Sequence, residues 1–325
     1  MEELLRQIGV DENTIKANTL FMSHAWQQAE DIITKQRRFV HYTRADTALK
    51  ILRTSKVWAR KANCMNDFSE LEHGFDCLNN ALTKHKEQFT KIFDGLFPGF
   101  REPLIDKFNS WLPHFRNETY IVSLSEHLPQ EDDLGRLSMW RAYGGSAGVA
   151  MVIKPWPLIK PTDALGAYAS PVAYLSVDEF ETQFLRFLDR ARNATEFLQT
   201  LGAEECHNYM FTAFRFAMLC TKHPGFHEER EWRIVHGRTF DRTDRIEIDV
   251  ETVGNIPQKV CKIPLKDYPD EGLTGIEIPN LLDRLIVGPS DYPFEIQGAL
   301  IDVLESLGVP DAQQKVIVSD MPLRT

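Results

Sequence analysis

Residues 38–60 read RFVHYTRADTALKILRTSKVWAR. Phe39, Val40, His41 and Tyr42 form a short run rich in β-branched and aromatic residues, the composition of a strand. Thr43 with Asp46 three residues on is a variant of the capping box, with Asp where Glu or Gln is usual. Ala45, Ala48, Leu49 and Leu52 follow at helical spacing and give one apolar face. Lys56–Arg60 returns to strand composition, so the unit is strand, helix, strand.

On the N-terminal side of this unit, residues 1–36 are polar and helical in pattern. Leu20, Phe21, Trp26, Ala29, Ile32 and Ile33 form one stripe, and the segment reads as an appended helical extension. On the C-terminal side, residues 66–117 are mainly helical with a break at Pro98-Gly99. Glu118–Ser125 (ETYIVSLS) is a strand, Leu134–Tyr143 a short helix stopped by Gly144-Gly145, and Gly148–Lys154 a buried strand. Residues 177–200 and 203–220 read as helices. Trp232–Val235, Arg245–Ile248, Val260–Ile263 and Leu285–Val287 read as strands, followed by a helix over Phe294–Leu307 and a last strand at Val316–Val318. Short strands among irregularly placed helices predict an α+β fold rather than a doubly wound sheet. The expected division is an extension of 1–36 and a main domain of 37–325.

Composition narrows the function classes. The chain carries 47 acidic and 37 basic residues, a net charge of −10 that repels a phosphate backbone and argues against constitutive tight DNA binding. The five cysteines are scattered with no CxxC pair, which predicts reduced thiols rather than a disulfide framework or zinc site. The acidic N-terminus has no apolar signal-peptide core, and no run of about 18 apolar residues occurs. A cytoplasmic protein with no membrane partner is expected. GxGxxG, GxxxxGK[ST] and HExxH are all missing from the sequence.

Dispersed polar residues on or near strands remain. In His227–Val235 (HEEREWRIV), strand alternation turns Glu229, Glu231 and Arg233 to one face and Arg230, Trp232 and Ile234 to the other. Two carboxylates there suit a site that stabilises a developing positive charge; a solvated strand with a Glu–Arg pair is the plain alternative. His41 offers hydrogen bonds to a ribose hydroxyl, or is a core histidine with Thr43 as N-cap. Ser123 and Ser125 share a strand face. Trp140, Arg141 and Tyr143 before a glycine turn can wall a flat ring, or Trp140 is simply core. Asn66-Asp67 opens a helix as a cap or belongs to a site.

The order of these pieces resembles an uncharacterised, mainly bacterial domain family. Its pattern of HY[ST], ND-x-x-E, a serine-bearing strand, W-x-x-Y and E-x-E-[WY]-R corresponds to His41-Tyr42-Thr43, Asn66-Asp67-Phe68-Ser69-Glu70, Ser123-Leu124-Ser125, Trp140-Arg141-Ala142-Tyr143 and Glu229-Arg230-Glu231-Trp232-Arg233. The segment from Leu285 to Val318 resembles the family's C-terminal end. That family is similar to the ADP-ribosyltransferase superfamily, which implies a split mixed β-sheet core with inserted helices that grips NAD.

The resemblance implies an NAD-dependent ADP-ribosyltransferase that cleaves the nicotinamide–ribose bond, with NAD as co-substrate and no metal. Glu231 is then the catalytic carboxylate and Glu229 orients the acceptor. His41, with Tyr42 and Thr43, contacts ribose. Ser123 and Ser125 support the cleft, Tyr143 stacks on nicotinamide with Tyr42 second, and Arg141 lies beside that ring. The implied partners are a protein or nucleic-acid acceptor and an antitoxin or regulatory partner, as for a bacterial toxin or phage-defence effector. The histidine motif and the serine motif come from two different transferase classes, which leaves the acceptor open. Alternatives are an NAD glycohydrolase, a non-catalytic nucleotide- or peptide-binding module, and a nucleoside or glycoside hydrolase. Same-face neighbours roughly 6.5–7 Å apart at Cα fit the opposed acid and base of a hydrolase poorly.

Overall fold

The computed structural model describes residues 1–64, 69–253 and 256–322. The Asn66-Asp67-Phe68 part of the segment singled out above lies outside them. β1 (Arg38–Arg44) and β2 (Lys56–Lys61) form where their composition predicts, joined by the Ala45–Thr54 helix. The capping expectation is corrected. The N-cap is Arg44, one residue later than a Thr43 box requires, because β1 continues to that point. Asp46 instead binds the Arg44 guanidinium at 2.7 Å, and Thr43 stays in the strand opposite Val149.

The remaining strands are β3 (Thr119–His127), β4 (Ala147–Ile153), β5 (Tyr168–Pro171), β6 (Ala173–Tyr174), β7 (Thr221–Lys222), β8 (Glu231–Gly237), β9 (Glu247–Val253), β10 (Ile256–Pro264), β11 (Leu282–Ser290) and β12 (Val316–Val318). The fold is α+β with a mixed open sheet in the order β12-β11-β4-β1-β3-β2-β10-β9, with β8 on β3 and β5 on β8. The β11–β12 pair is parallel and β4 is antiparallel to both neighbours. β3 is shared: β1 pairs with its end at 125–127, β2 with its start at 120–121.

By residue contacts the chain divides into two compact units. One comprises Met1–Glu30, Ala62–Thr119 and Ser170–Glu228; the other comprises Asp31–Lys61, Tyr120–Ala169 and Glu229–Thr325. This differs from an extension of 1–36 ahead of one domain of 37–325. The N-terminal helices cluster with two later segments, a long-range association that leaves no mark in local periodicity.

The first unit is helical, with a core dense in phenylalanine, among them Phe89, Phe93, Phe108, Phe184, Phe211 and Phe214. Pro98-Gly99 separates the Lys86–Leu96 and Arg101–Glu118 helices as the sequence predicts. The Val177–Asn193 helix starts at a Ser176–Glu179 capping box, which satisfies two end amides reciprocally. The chain then breaks at Ala194, so the run over 177–200 is two helices rather than one. Among the described residues no helix is long and apolar enough to cross a membrane.

In the second unit, strand alternation sorts side chains onto two faces. Val149, Met151, Leu285 and Val287 pack under the Ala45–Thr54 and Pro293–Ser306 helices. Val40, Tyr42, Ala150, Val152 and Ile286 pack on the other face with Trp140. The expected helix at 134–143 is shorter: a single turn at Leu137–Met139 runs into a π-turn at Trp140–Gly144. Trp140 is buried and donates through Nε1 to the Leu134 carbonyl at 2.8 Å. Three glycines make room for its ring. A Cβ would come within 2.7 Å of it at Gly135, 2.8 Å at Gly288 and 3.1 Å at Gly148. Trp140 is therefore core, and its bulk is why LIVGPS carries a glycine.

Candidate functional site

Glu231 opens β8 beside β3, and its side chain is 6% exposed. Ser123 Oγ donates to its Oε1 at 2.6 Å. Arg233, 2% exposed, holds both oxygens, Nε to Oε1 at 3.0 Å and Nη2 to Oε2 at 3.1 Å. A two-point arginine–carboxylate contact fixes orientation as well as charge. Glu231 and Arg233 do share a strand face, and the neighbouring strand presents Ser123 to that face.

Glu229 departs from the predicted geometry. It ends a 3-10 segment, Pro224–Glu229, and Arg230 sits in the left-handed region at φ 45°. A non-glycine residue there is uncommon and breaks strand alternation. The two acids therefore flank a corner and are not two positions on one strand. Glu229 is half-buried, with the Tyr143 hydroxyl 3.5 Å from its Oε1. Its carbonyl accepts from Ser125 Oγ and from Arg136 Nη1. The two serines thus differ: Ser123 meets the carboxylate of Glu231, and Ser125 holds the corner that carries Glu229.

Arg136 organises this corner and was not foreseen. Its Nη2 donates to the Glu126 carbonyl at 2.7 Å, its Nη1 to Ser125 Oγ at 3.3 Å and its Nε to Glu131 at 3.1 Å. Glu131 also binds Arg230 and accepts from the Leu128 amide at 2.9 Å. Burial alone would raise the Glu131 carboxyl, but the Leu128 amide and the two arginines outweigh it and hold the group below its ordinary value. The run Glu131-Asp132-Asp133 reads as a polar loop, yet Glu131 and Asp132 are anchors, with Asp132 bound to Arg38 and His127. An arginine placed shortly after an acidic triple is the signal that could have pointed there.

The structure does not bring His41 to Glu231. The register Val40↔Ser125 puts even residues of β1 on the face of Ser123 and Ser125 and turns His41 the other way. His41 lines an apolar cavity of about 50 Å³ with Val122, Leu124, Met151 and Ile234, and its Nδ1 lies 3.0 Å from the Ser123 carbonyl. Burial pushes its imidazole below the ordinary value, with the Ser123 bond opposing. Thr43 falls on the same face as His41. Tyr42 is on the Glu231 face but spent in the core. Its ring meets Trp140 edge-on at 4.9 Å, its oxygen accepts the Arg136 amide at 2.9 Å, and burial pushes its hydroxyl up to about 12. Tyr42 therefore offers no free ring face, which leaves Tyr143. Arg141 is exposed on the π-turn.

The arrangement amounts to one buried, fixed carboxylate bridged to a hydroxyl, and a second, more accessible carboxylate beside a phenol. Residues 139–234 match the model of a family described as a protein of unknown function (DUF2971). The match spans both Trp140–Tyr143 and Glu229–Arg233, two of the motifs that carry the resemblance to an uncharacterised family. No curated protein and no solved structure matches the chain.

Proposed function

We propose that this protein is an NAD-dependent ADP-ribosyltransferase, with Glu231 as its catalytic carboxylate and Glu229 as the acid that serves the acceptor. One observation carries the reading: Ser123 on β3 is hydrogen-bonded at 2.6 Å to Glu231 on β8, with Arg233 locking the same carboxylate. A serine strand beside a glutamate strand is the pairing the superfamily resemblance implies. The sharing of β3 between β1 and β2 supports the finer reading of the sheet as a split one.

In this reading the bond from ribose C1′ to the nicotinamide nitrogen breaks, and nicotinamide leaves with the electron pair. The ribose becomes oxocarbenium-like, and the fixed Glu231 carboxylate, holding the 2′-hydroxyl, stabilises that charge. Tyr143 stacks on the nicotinamide ring. The acceptor nucleophile closes on C1′ and gives its proton to Glu229. NAD is consumed as co-substrate, the acceptor is a protein or nucleic acid, and the role is that of a toxin or defence effector in the cytoplasm. His41 has no part in this site.

The test is incubation of the purified protein with NAD labelled in its adenylate half, with and without cell extract. Label entering macromolecules, and a loss of at least a hundredfold in Glu231→Gln, is the expected result. Label released only as free ADP-ribose makes the protein a glycohydrolase, and no consumption of NAD with any extract ends the reading. The burial of Glu231 and the engagement of its oxygens by Ser123 and Arg233 favour one second reading, a binding module on the same fold. That reading requires NAD to raise the melting temperature without turnover.

A further inference from the structure

The helical unit contains a pocket of about 470 Å³ that the transferase reading does not use. Its size falls within the roughly 300–1,000 Å³ of small-molecule sites and far exceeds the voids of a close-packed core. The floor is buried and apolar, with Phe21, Leu78, Phe180, Phe184, Met210 and Phe214. The rim is exposed and polar, with His24, Gln27, Gln183 and Arg186.

Two arginines of the Val177–Asn193 helix, Arg186 and Arg190, line this pocket four residues apart, and so are neighbours on one helix face. Like charges at that spacing repel, and the helix does not compensate them. Glu179 is committed to the Ser176 cap, Glu181 to Lys84 and His85, and Asp189 to Arg192. Among the described residues neither arginine has an ion pair. Arg190 donates to the Ser23 hydroxyl at 2.8 Å through Nη2, and its Nε is buried with no acceptor. Burial first, and the Arg186 charge second, push the Arg190 guanidinium below its ordinary value. The helix C-terminus favours cations in its last turn, which accounts for Arg192, but it supplies no counter-charge to a desolvated guanidinium inside a pocket.

We propose that this pocket binds a small amphipathic anion, an aliphatic carboxylate whose chain fills the phenylalanine-lined floor and whose head group pairs with Arg186 and Arg190. A neutral apolar ligand would leave the desolvated Arg190 charge uncompensated. A wholly polar anion would leave the floor empty, and a nucleotide would bury ring and sugar polar groups against phenyl rings. A carboxylate suits the planar fork of a guanidinium. The inference is independent of the transferase reading, and binding at this pocket is measured without NAD.

The probes are dodecanoate, dodecanol and dodecyltrimethylammonium, each below its micellar concentration, titrated by calorimetry into the full chain. Dodecanoate is expected to bind one to one and to raise the melting temperature, with dodecanol and the cation at least tenfold weaker. Arg190→Met is expected to weaken dodecanoate at least tenfold and Arg190→Lys to restore part of that. Ala213→Phe, which fills the pocket from its wall but keeps both arginines, is expected to weaken all apolar probes together. Dodecanol binding as tightly as dodecanoate, an unchanged affinity in a folded Arg190→Met, or no dodecanoate binding up to 1 mM (a ceiling of about −4 kcal/mol) would overturn the proposal.

Discussion

The two faces of the sheet around β1, β3 and β8 carry opposite chemistry within one strand's thickness. On one face, beside the apolar Val40 and Tyr42 of β1, Ser123, Ser125, Glu231, Arg233 and Arg136 form a largely buried polar lattice. On the other, His41, Val122, Leu124 and Ile234 enclose an apolar cavity with a single ring nitrogen returned to a backbone carbonyl. The His-Tyr-Thr string is cut by this division, since consecutive residues on a strand face opposite ways. Adjacency in sequence made His41 look like a partner of Glu231; register makes it a partner of the hydrophobic layer.

The largest effect should come from removing a charge from the polar face. Arg136→Ala leaves Glu131 and the Glu229 corner without their shared donor inside the protein. A loss of about 3–5 kcal/mol in denaturant unfolding is expected, the cost of breaking a buried pair on one side. A loss under about 1 kcal/mol would mean that the lattice is not the structural base of that face.

Next comes Ser125→Ala. It removes one hydrogen bond donated to the Glu229 carbonyl and one accepted from Arg136, and about 0.5–1.5 kcal/mol is expected. If Ser125 serves only the corner, NAD turnover should fall less than in Ser123→Ala, which removes the direct contact with Glu231. The reverse order in a turnover assay would exchange the roles assigned to the two serines.

His41→Leu is the sharpest test of the division. Leucine suits the cavity, so the stability change should stay below about 1.5 kcal/mol and NAD consumption should be unaffected. Abolished turnover in a stable variant would put His41 back into the site and break the two-face account.

The smallest effect concerns pH. Burial lowers the His41 and His127 imidazoles, so the folded chain binds these protons less readily than the unfolded one. Their neutral forms support the fold above the unfolded value near 6.5, and stability falls as the pH drops below it. In His41→Leu the decline measured between pH 7.5 and 5.5 should be shallower, while His127 keeps the remainder.

Local pattern carried much of this architecture. The strand–helix–strand of 38–60, the break at Pro98-Gly99, the strand at Val316–Val318 and the helix at Pro293–Ser306 all follow from composition and periodicity. The strand expected at Arg245–Ile248 begins two residues later and runs to Val253 as a largely exposed edge strand, where no burial marks the bounds. The division into units lay beyond local pattern, being assembled from three separated segments. At the site, Glu231, Ser123 and Arg233 are legible through alternation. The corner at Glu229 is not, because a left-handed arginine has no sequence signature, and Arg136 binds groups far along the chain that only pairing of strands brings near.

The ring of Trp140 reaches three glycines but is the sole constraint at one of them. Positions 135, 148 and 288 are distant in the chain, yet each has given up its side chain to the same indole. Drift at any one of the three is blocked while the tryptophan stands, but a smaller residue at 140 releases only position 288, since Gly135 keeps its left-handed φ of 67° and a side chain at 148 still meets the Gly144 Cα at 2.8 Å. Among natural variants of this chain, alanine or serine at 288 should therefore travel with a smaller residue at 140, while 135 and 148 should stay glycine whatever stands at 140.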